Sequence, residues 1–526
     1  MSPVALATLA IVPALAFACC ATRSAPLPSP PPPASPPPAL IAVAPPAPVE
    51  PARGLATEAA PVAPAPPPAP PPPPAPRLTS QAATTWIFGG PRTDSHTLGY
   101  LRTGSSVALR GTFRRAGEGC SGGFYAIEPR GYVCNDHTVT LAPSPRFAAL
   151  AAATAPAPGP LPYRYAFSDG APMYSRLPTP DEQLHAERAL GPADSLTRPR
   201  QRTSTYEGLA STDAAEPVTP APSFLEGGAG SVVKETLPRG SMLSFTRVFS
   251  AAPGRTFLLS ADHTLVPADR VRLFRASSFH GVRLDGDVAL PLAWLRRVPR
   301  PQYRHLPSGA VEPTGGTWPA RSYLRLTGAV VEVERRRYHE TREHDEAGAA
   351  LYVADADASV VETASGPPFG VKPGQKWIVV HLSAGTLVAY EGGRPVYTTL
   401  MSPGRGGVPV AGQDPVEAST TPLGVFYVTF KDRAATMTHD KPGEPRTHWI
   451  ADVPFTQYFD PPFALHAAYW HDRFGEETSA GCINVSPTDA EVLFGWSDPP
   501  VPEEWQGATG SGAPENGPTT AVVVRR

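Results

Sequence analysis

The sequence predicts a mainly β protein carried behind a long proline-rich segment. Three observations lead there. From residue 84 onward the apolar and aromatic runs are short, and Gly or Pro separates them, which is the spacing of strands and turns. Residues 376–402 read as KWIVVHL, TLVAY and RPVYTTLMS, broken at Ala384-Gly385 and Gly392-Gly393. Two tight turns between three apolar strands make an antiparallel meander. Helical patterning is confined to Asp181–Leu190 and Pro487–Phe494, where Ser486 or Thr488 offers an N-cap.

A chain of 526 residues exceeds one core and implies two to four domains. The net charge of −2 gives no basic field, so no nucleic-acid partner is expected. Residues 1–20 carry the apolar run VALATLAIVPALAFA, too short to span a bilayer comfortably and fitting a signal peptide. Ala16-Phe17-Ala18-Cys19 resembles a bacterial lipoprotein cleavage site, which implies lipidation of Cys19 and a membrane anchor. A plain signal peptide cut nearby is the alternative. Either one places the protein outside the cytoplasm, in the periplasm or cell envelope. Residues 21–80 hold much of the 70-residue proline content and read as a disordered Pro/Ala-rich linker. In polyproline II at ~3.1 Å per residue, about fifty residues reach on the order of 150 Å.

Residues 81–143 read as a small barrel, with strands around Trp86–Phe88, Thr97–Leu101, Ser106–Leu109, Phe124–Ile127 and Gly131–Cys134. The runs LGYLRTG and FYAIEPRGYV resemble a bacterial SH3-like module. Cys120 and Cys134 sit within it. A disulfide there closes a loop worth roughly 3 kcal/mol and suits an oxidising compartment. A metal pair is the rival reading, without CxxC spacing to support it. Residues 144–221 read as a linker, and 222–300 and 301–370 as two further β-rich modules.

The chemistry gathers in residues 371–526. Cys482 is the one cysteine beyond residue 134, set in Ser479-Ala480-Gly481-Cys482-Ile483-Asn484. His466 precedes it by sixteen positions, and His471 lies between. A thiol needs a base or a cationic neighbour to become a nucleophile. Against this stands the common buried, inert cysteine. A zinc site from His466, His471, Asp472 and Cys482 is the other alternative, without HExxH or paired-Cys spacing. No cofactor is expected.

The blocks KWIVVHLSAGTLVAYEGGRPVYTTLMSPG, TPLGVFYV, VPFTQYFDPPFALHAAYWHDRFG and SAGCINVSPTDAEVLF resemble, in order, the L,D-transpeptidase catalytic domain of the YkuD family. The resemblance covers a little under a third of the chain. It implies an all-β catalytic domain with Cys482 as nucleophile and His466 as general base and proton donor. The substrate it implies is a peptidoglycan stem peptide, acylated onto Cys482 and passed to an amine. Gly481 with Cys482 is expected to supply the oxyanion N–H groups, Ser479 to orient the turn, and Asn484 to bond the motif or substrate. Trp470, His471 and Tyr458 are substrate-lining candidates, and His381, His439 and His448 structural or lining ones. One letter departs: the family has histidine where this chain has Ala480. That departure keeps open a weak or inactive peptidoglycan-binding protein that retains the fold. A carboxypeptidase-type hydrolase sharing the acyl-enzyme is a further variant.

Overall fold

The two hairpins expected after residue 375 form the centre of a six-stranded sheet. Lys376–His381 pairs antiparallel with Thr386–Glu391, which pairs antiparallel with Arg394–Leu400. The closing strand, expected at Thr519–Val524, is Ala521–Arg525 and runs parallel to Lys376–His381. Gly424–Tyr427 and Val282–Arg283 form the edges. KWIVVH and AVVVR are buried on successive residues. A strand covered on both faces needs such an unbroken apolar run.

The computed structural model describes residues 76–190, 210–211, 219–226, 231–251, 255–438 and 449–526, apart from 112, 276 and 369. Cys19, nearly all of the Pro/Ala-rich segment, His439 and His448 lie outside these residues.

A second ladder carries the site. Its elements are β1 (Thr85–Phe88), β2 (Thr97–Leu101), β3 (Phe430–Thr438), β4 (Trp449–Asp460), β5 (Phe463–Ala467), β6 (Ile483–Val485), the helix α1 (Pro487–Trp496) and β7 (Gly507–Thr509). Antiparallel pairings run β1–β2–β7–β3–β4–β5, and β6 adds to β5 in parallel. The run VFYVTF at 425–430 reads as one strand, but the chain leaves the six-stranded sheet at Tyr427 and enters β3 at Phe430.

Alternation decides what each face meets. Leu465, Ala467, Ile483 and Val485 point toward α1 and pack with Ala490, Leu493, Ile378, Val380, Val522 and Val524. The residues between them, His466 and Asn484, are left for the opposite face. The helix is held at both ends. Ser486 Oγ accepts the Asp489 N–H at 3.1 Å. At the other end Lys431, fully buried on β3, donates from Nζ to Phe494 O at 2.7 Å and Ser497 O at 2.8 Å. A cation at the carboxyl end of a helix complements its exposed carbonyls. Burial pushes that ammonium down to about 7.

The segments expected as separate modules join the C-terminal segment directly, and the described residues form one compact unit. Gly99 and Tyr100 on β2 pair with Ala508 and Gly507 on β7. Leu78, Ile87, Leu98 and Ile127 share a core with Trp505, Ala508 and Ala513. Met242 registers with Ile450, and Val282 with Thr398. Covering an edge strand with another strand satisfies its N–H and C=O groups. The expected linker over 144–221 holds structure too: helices Pro145–Ala153 and Pro180–Glu187 and strands Arg164–Asp169 and Pro172–Tyr174. The division at 300 falls inside a seven-stranded sheet, because Leu292–Trp294 pairs with Tyr323–Val333 and Ser359–Val361. Cys120 and Cys134 are joined in a disulfide.

Candidate functional site

Cys482 stands one residue before β6. Ile483 and Val485 are fully buried against α1, so alternation turns Cys482 and Asn484 to the other face. The parallel register Leu465↔Ile483 and His466↔Asn484 then places His466 on that same face, one step along from the thiol. Ala464 falls beside Cys482 in that register. The thiol is partly buried, 4.0 Å from Pro462 O. Burial pushes it up to about 11, and the Ala464 N–H opposes that rise.

His466 is 2% exposed. Its Nδ1 lies 3.0 Å from Ala467 O. A carbonyl only accepts, so Nδ1 carries the proton and Nε2 keeps a lone pair. Burial holds the ring down to about 4, with the Ala467 carbonyl pulling the other way. Both members of the pair therefore rest uncharged at neutral pH.

The turn before Cys482 is built by two residues. Ser479 Oγ donates to Cys482 O at 2.6 Å and accepts the Gly481 N–H at 3.0 Å. Gly481 has φ of 130°, and a Cβ there would lie 2.5 Å from the Phe463 ring and 3.0 Å from Thr420 O. Only glycine meets both conditions. The expectation that Gly481 offers its N–H to an oxyanion is corrected by this geometry, since Ser479 already takes that donor.

A segment missed in the sequence clamps the motif from the side. Ser402 and Asn484 exchange backbone hydrogen bonds at 2.8 and 3.0 Å. Ser479 N donates to Pro403 O at 3.0 Å, and Arg405 N to Ser479 O at 2.8 Å. The signal available was MSPGR directly after a strand, a tight bend with nowhere to go but back across the sheet.

The remaining candidates separate. Ala480 is exposed at the rim and brings no imidazole to the thiol. His471 is buried beneath the motif, 3.0 Å from the Asn484 amide and 3.3 Å from Thr478 Oγ1. Burial, then His466 and Arg473, hold it down to about 3. Trp470 is nearly buried, its ring 5.7 Å from that of His466. Tyr458 is part-exposed and pairs with Ala464, so it shares the thiol's face with one small residue between. Its hydroxyl is raised by burial, then by the neighbouring Asp432 and Cys482. Asp472 turns away to an ion pair with Arg321. Among the described residues no three His, Cys, Asp or Glu gather as metal ligands would. His381 lies elsewhere, on Lys376–His381.

Residues 375–524 match the family model YkuD, described as the L,D-transpeptidase catalytic domain. No curated protein matches the chain. Among solved structures, the chain is similar to a cysteine-to-serine mutant of an Enterococcus faecium L,D-transpeptidase at 22% identity, covering 29% of this chain and 50% of that one, TM-score 0.20. It thus spans half the length of that protein. The catalytic domain of the E. faecium L,D-transpeptidase gives 22% identity over 30% of this chain and all of that one, TM-score 0.21. An L,D-transpeptidase from Mycobacterium smegmatis gives 15% over 38% and 97%, TM-score 0.21.

Proposed function

Residues 375–524 being an L,D-transpeptidase catalytic domain of the YkuD family, we propose that the chain acylates Cys482 with a peptidoglycan stem peptide and passes the acyl group to an amine. The observation that carries this is the placement of Cys482 and His466 on one face of adjacent strands, with His466 Nδ1 tied to Ala467 O. That tie leaves Nε2 as the base.

The pair rests neutral, so proton transfer accompanies attack rather than preceding it. His466 Nε2 takes the thiol proton as sulfur bonds to the carbonyl carbon of the third stem residue. The tetrahedral intermediate collapses, the C–N bond breaks, and the imidazolium returns its proton to the leaving amine of the terminal D-amino acid. The thioester then meets an acceptor amine, which gives its proton to Nε2. A new amide forms and the thiol is regenerated. The Ala464 N–H stabilises charge that develops on the sulfur. General base catalysis of this kind typically contributes ~10²- to 10⁴-fold. This activity acts on the wall, outside the cytoplasm. Export through residues 1–20 and lipidation of Cys19 belong to the same proposal.

Mass spectrometry after exposure to a carbapenem tests the reading. An adduct on Cys482 is expected, absent in Cys482→Ala and slowed about a hundredfold or more in His466→Ala. Folded protein that neither acylates nor consumes tetrapeptide stems would sink it. Exposed Ala480 and the uncharged thiol favour a second reading, a slow enzyme kept as a peptide clamp. Saturable binding to sacculi without turnover, unchanged by Cys482→Ala, would select that one.

A further inference from the structure

We propose that a row of aromatic rings leading to Cys482 is a binding track for the sugar backbone of the wall polymer, engaged through its pyranose faces. The inference rests on the substrate class proposed above. The row is fixed by register. Trp86 on β1 pairs with Tyr100 on β2, and Tyr100 with Gly507 on β7. Gly507 pairs with Asp432 on β3, and Phe430, two residues along, shares that face. Phe430 pairs with Tyr458 on β4, and Tyr458 with Ala464, the residue beside Cys482. From β1 to the cysteine this is six strand-to-strand steps, roughly 29 Å at the usual spacing.

The rings form an unbroken series. Trp86 and Tyr100 have centroids 5.9 Å apart, Tyr100 and Phe430 6.2 Å in a stacked pair, and Phe430 and Tyr458 6.5 Å. Gly507 makes room for the middle of the row, since a Cβ there would lie 2.8 Å from the Phe430 ring and 2.9 Å from the Tyr100 ring. Trp86 is 48% exposed, and Tyr100, Phe430 and Tyr458 are part-exposed. Contiguous aromatics left partly in water mark a contact surface more often than scattered ones do.

The chemistry favours a sugar chain over the peptide. A pyranose presents a flat C–H face with its polar groups at the rim, which suits rings that are apolar on the face and polar at the edge. Asp432, the charged residue of the row, is buried and accepts from Tyr100 Oη at 2.7 Å, Ala434 N at 2.9 Å and Gln506 Nε2 at 2.9 Å. No cation in the row answers the carboxylates of a stem peptide. The track begins in the segment that carries the disulfide and ends at the thiol, so the N-terminal strands belong to the substrate path.

The test titrates full-length wild type, Cys482→Ala, Trp86→Ala and Trp86→Phe with a soluble β-linked N-acetylglucosamine oligomer, by calorimetry, and acylates Cys482 with a carbapenem in parallel. Wild type and Cys482→Ala are expected to bind the oligomer equally. Trp86→Ala should bind about tenfold more weakly, Trp86→Phe should recover part of that loss, and acylation should be the same in both Trp86 variants. No oligomer binding by wild type, or unchanged binding by Trp86→Ala, overturns the track. Trp86-dependent binding of a sugar-free stem tetrapeptide in its place also overturns it. Trp86-dependent oligomer binding by a protein whose Cys482 never acylates removes the proposed activity and leaves the track standing.

Discussion

His471 and Asn484 meet 3.0 Å apart beneath the Cys482 turn, and their hydrogen bond has one consistent polarity. The Arg473 N–H donates to His471 Nδ1 at 3.2 Å, so a neutral ring carries its proton on Nε2. Nε2–H needs an acceptor, which the Asn484 amide supplies with its oxygen turned to the ring, beside Thr478 Oγ1 at 3.3 Å. With Asn484 Nδ2 toward the ring, as the 3.0 Å contact has it, Asn484 Oδ1 is buried without a partner. His471 thus fixes the side chain that registers directly across from His466.

Asn484→Asp tests that polarity. A carboxylate accepting Nε2–H favours the imidazolium, so the His471 pKa should climb from about 3 toward or beyond its ordinary 6.5. Heteronuclear NMR of the ring nitrogens reads it. A His471 that titrates as before would mean the amide does not face the ring as argued.

Stability should fall on mild acidification. His466 and His471 are held at about 4 and about 3, below the unfolded 6.5. Below 6.5 the unfolded chain binds protons that the folded chain refuses, so the stabilisation is complete above 6.5 and is lost as pH falls through the folded values. Each ring contributes a slope of at most ~1.4 kcal/mol per pH unit. Urea midpoints at pH 7, 6 and 5 check this. His471→Leu should flatten the decline relative to wild type, and parallel declines would argue against it.

Acylation should keep its rate well below the pH at which a free imidazole loses its lone pair. With His466 at about 4, the acid limb of the rate profile is expected near 4 to 5 rather than 6.5. With the thiol at about 11, direct alkylation by iodoacetamide should accelerate only toward strongly alkaline pH. An acid limb at 6.5 in stopped-flow acylation would mean that the ring is solvated and not held as described.

Asp489 ties the middle of the chain to the catalytic segment. Its buried carboxylate accepts from Gly281 N at 2.6 Å, Tyr397 Oη at 2.7 Å and Thr399 Oγ1 at 2.6 Å. Asp489→Ala leaves the buried Gly281 N–H and Tyr397 Oη without a partner, while Thr399 Oγ1 keeps Leu400 O at 3.2 Å, and is expected to cost about 2 kcal/mol or more, with Asp489→Asn costing less. Chemical denaturation measures both. Equal, small losses would show that the segment around Gly281 docks by packing alone.

The meander, α1, the thiol with its histidine and the disulfide pair were legible because each is local. Short apolar runs between turns, a Ser-Pro helix start and a cysteine among small residues announce themselves within a few positions. The linker read over 144–221 and the separate modules were not, because their strands find partners hundreds of residues away. Gly507–Thr509 is too short and small to read as a strand until β2 and β3 flank it. Ser402 to Arg405 read as a bend, and only its position across the Cys482 turn gives it a task.

The sequence by itself determined the candidate pair, Cys482 and His466, and the strand that carries His466, since side-chain chemistry and two-residue alternation are written in the chain. Only the tertiary structure decided that Ser479 consumes the Gly481 N–H, that His471 serves Asn484 rather than the thiol, and that Trp86 belongs to the same sheet as Cys482. The reason is physical. Burial and strand register are properties of the packed whole, and they set which donors remain free, which groups keep their charge and which faces line up.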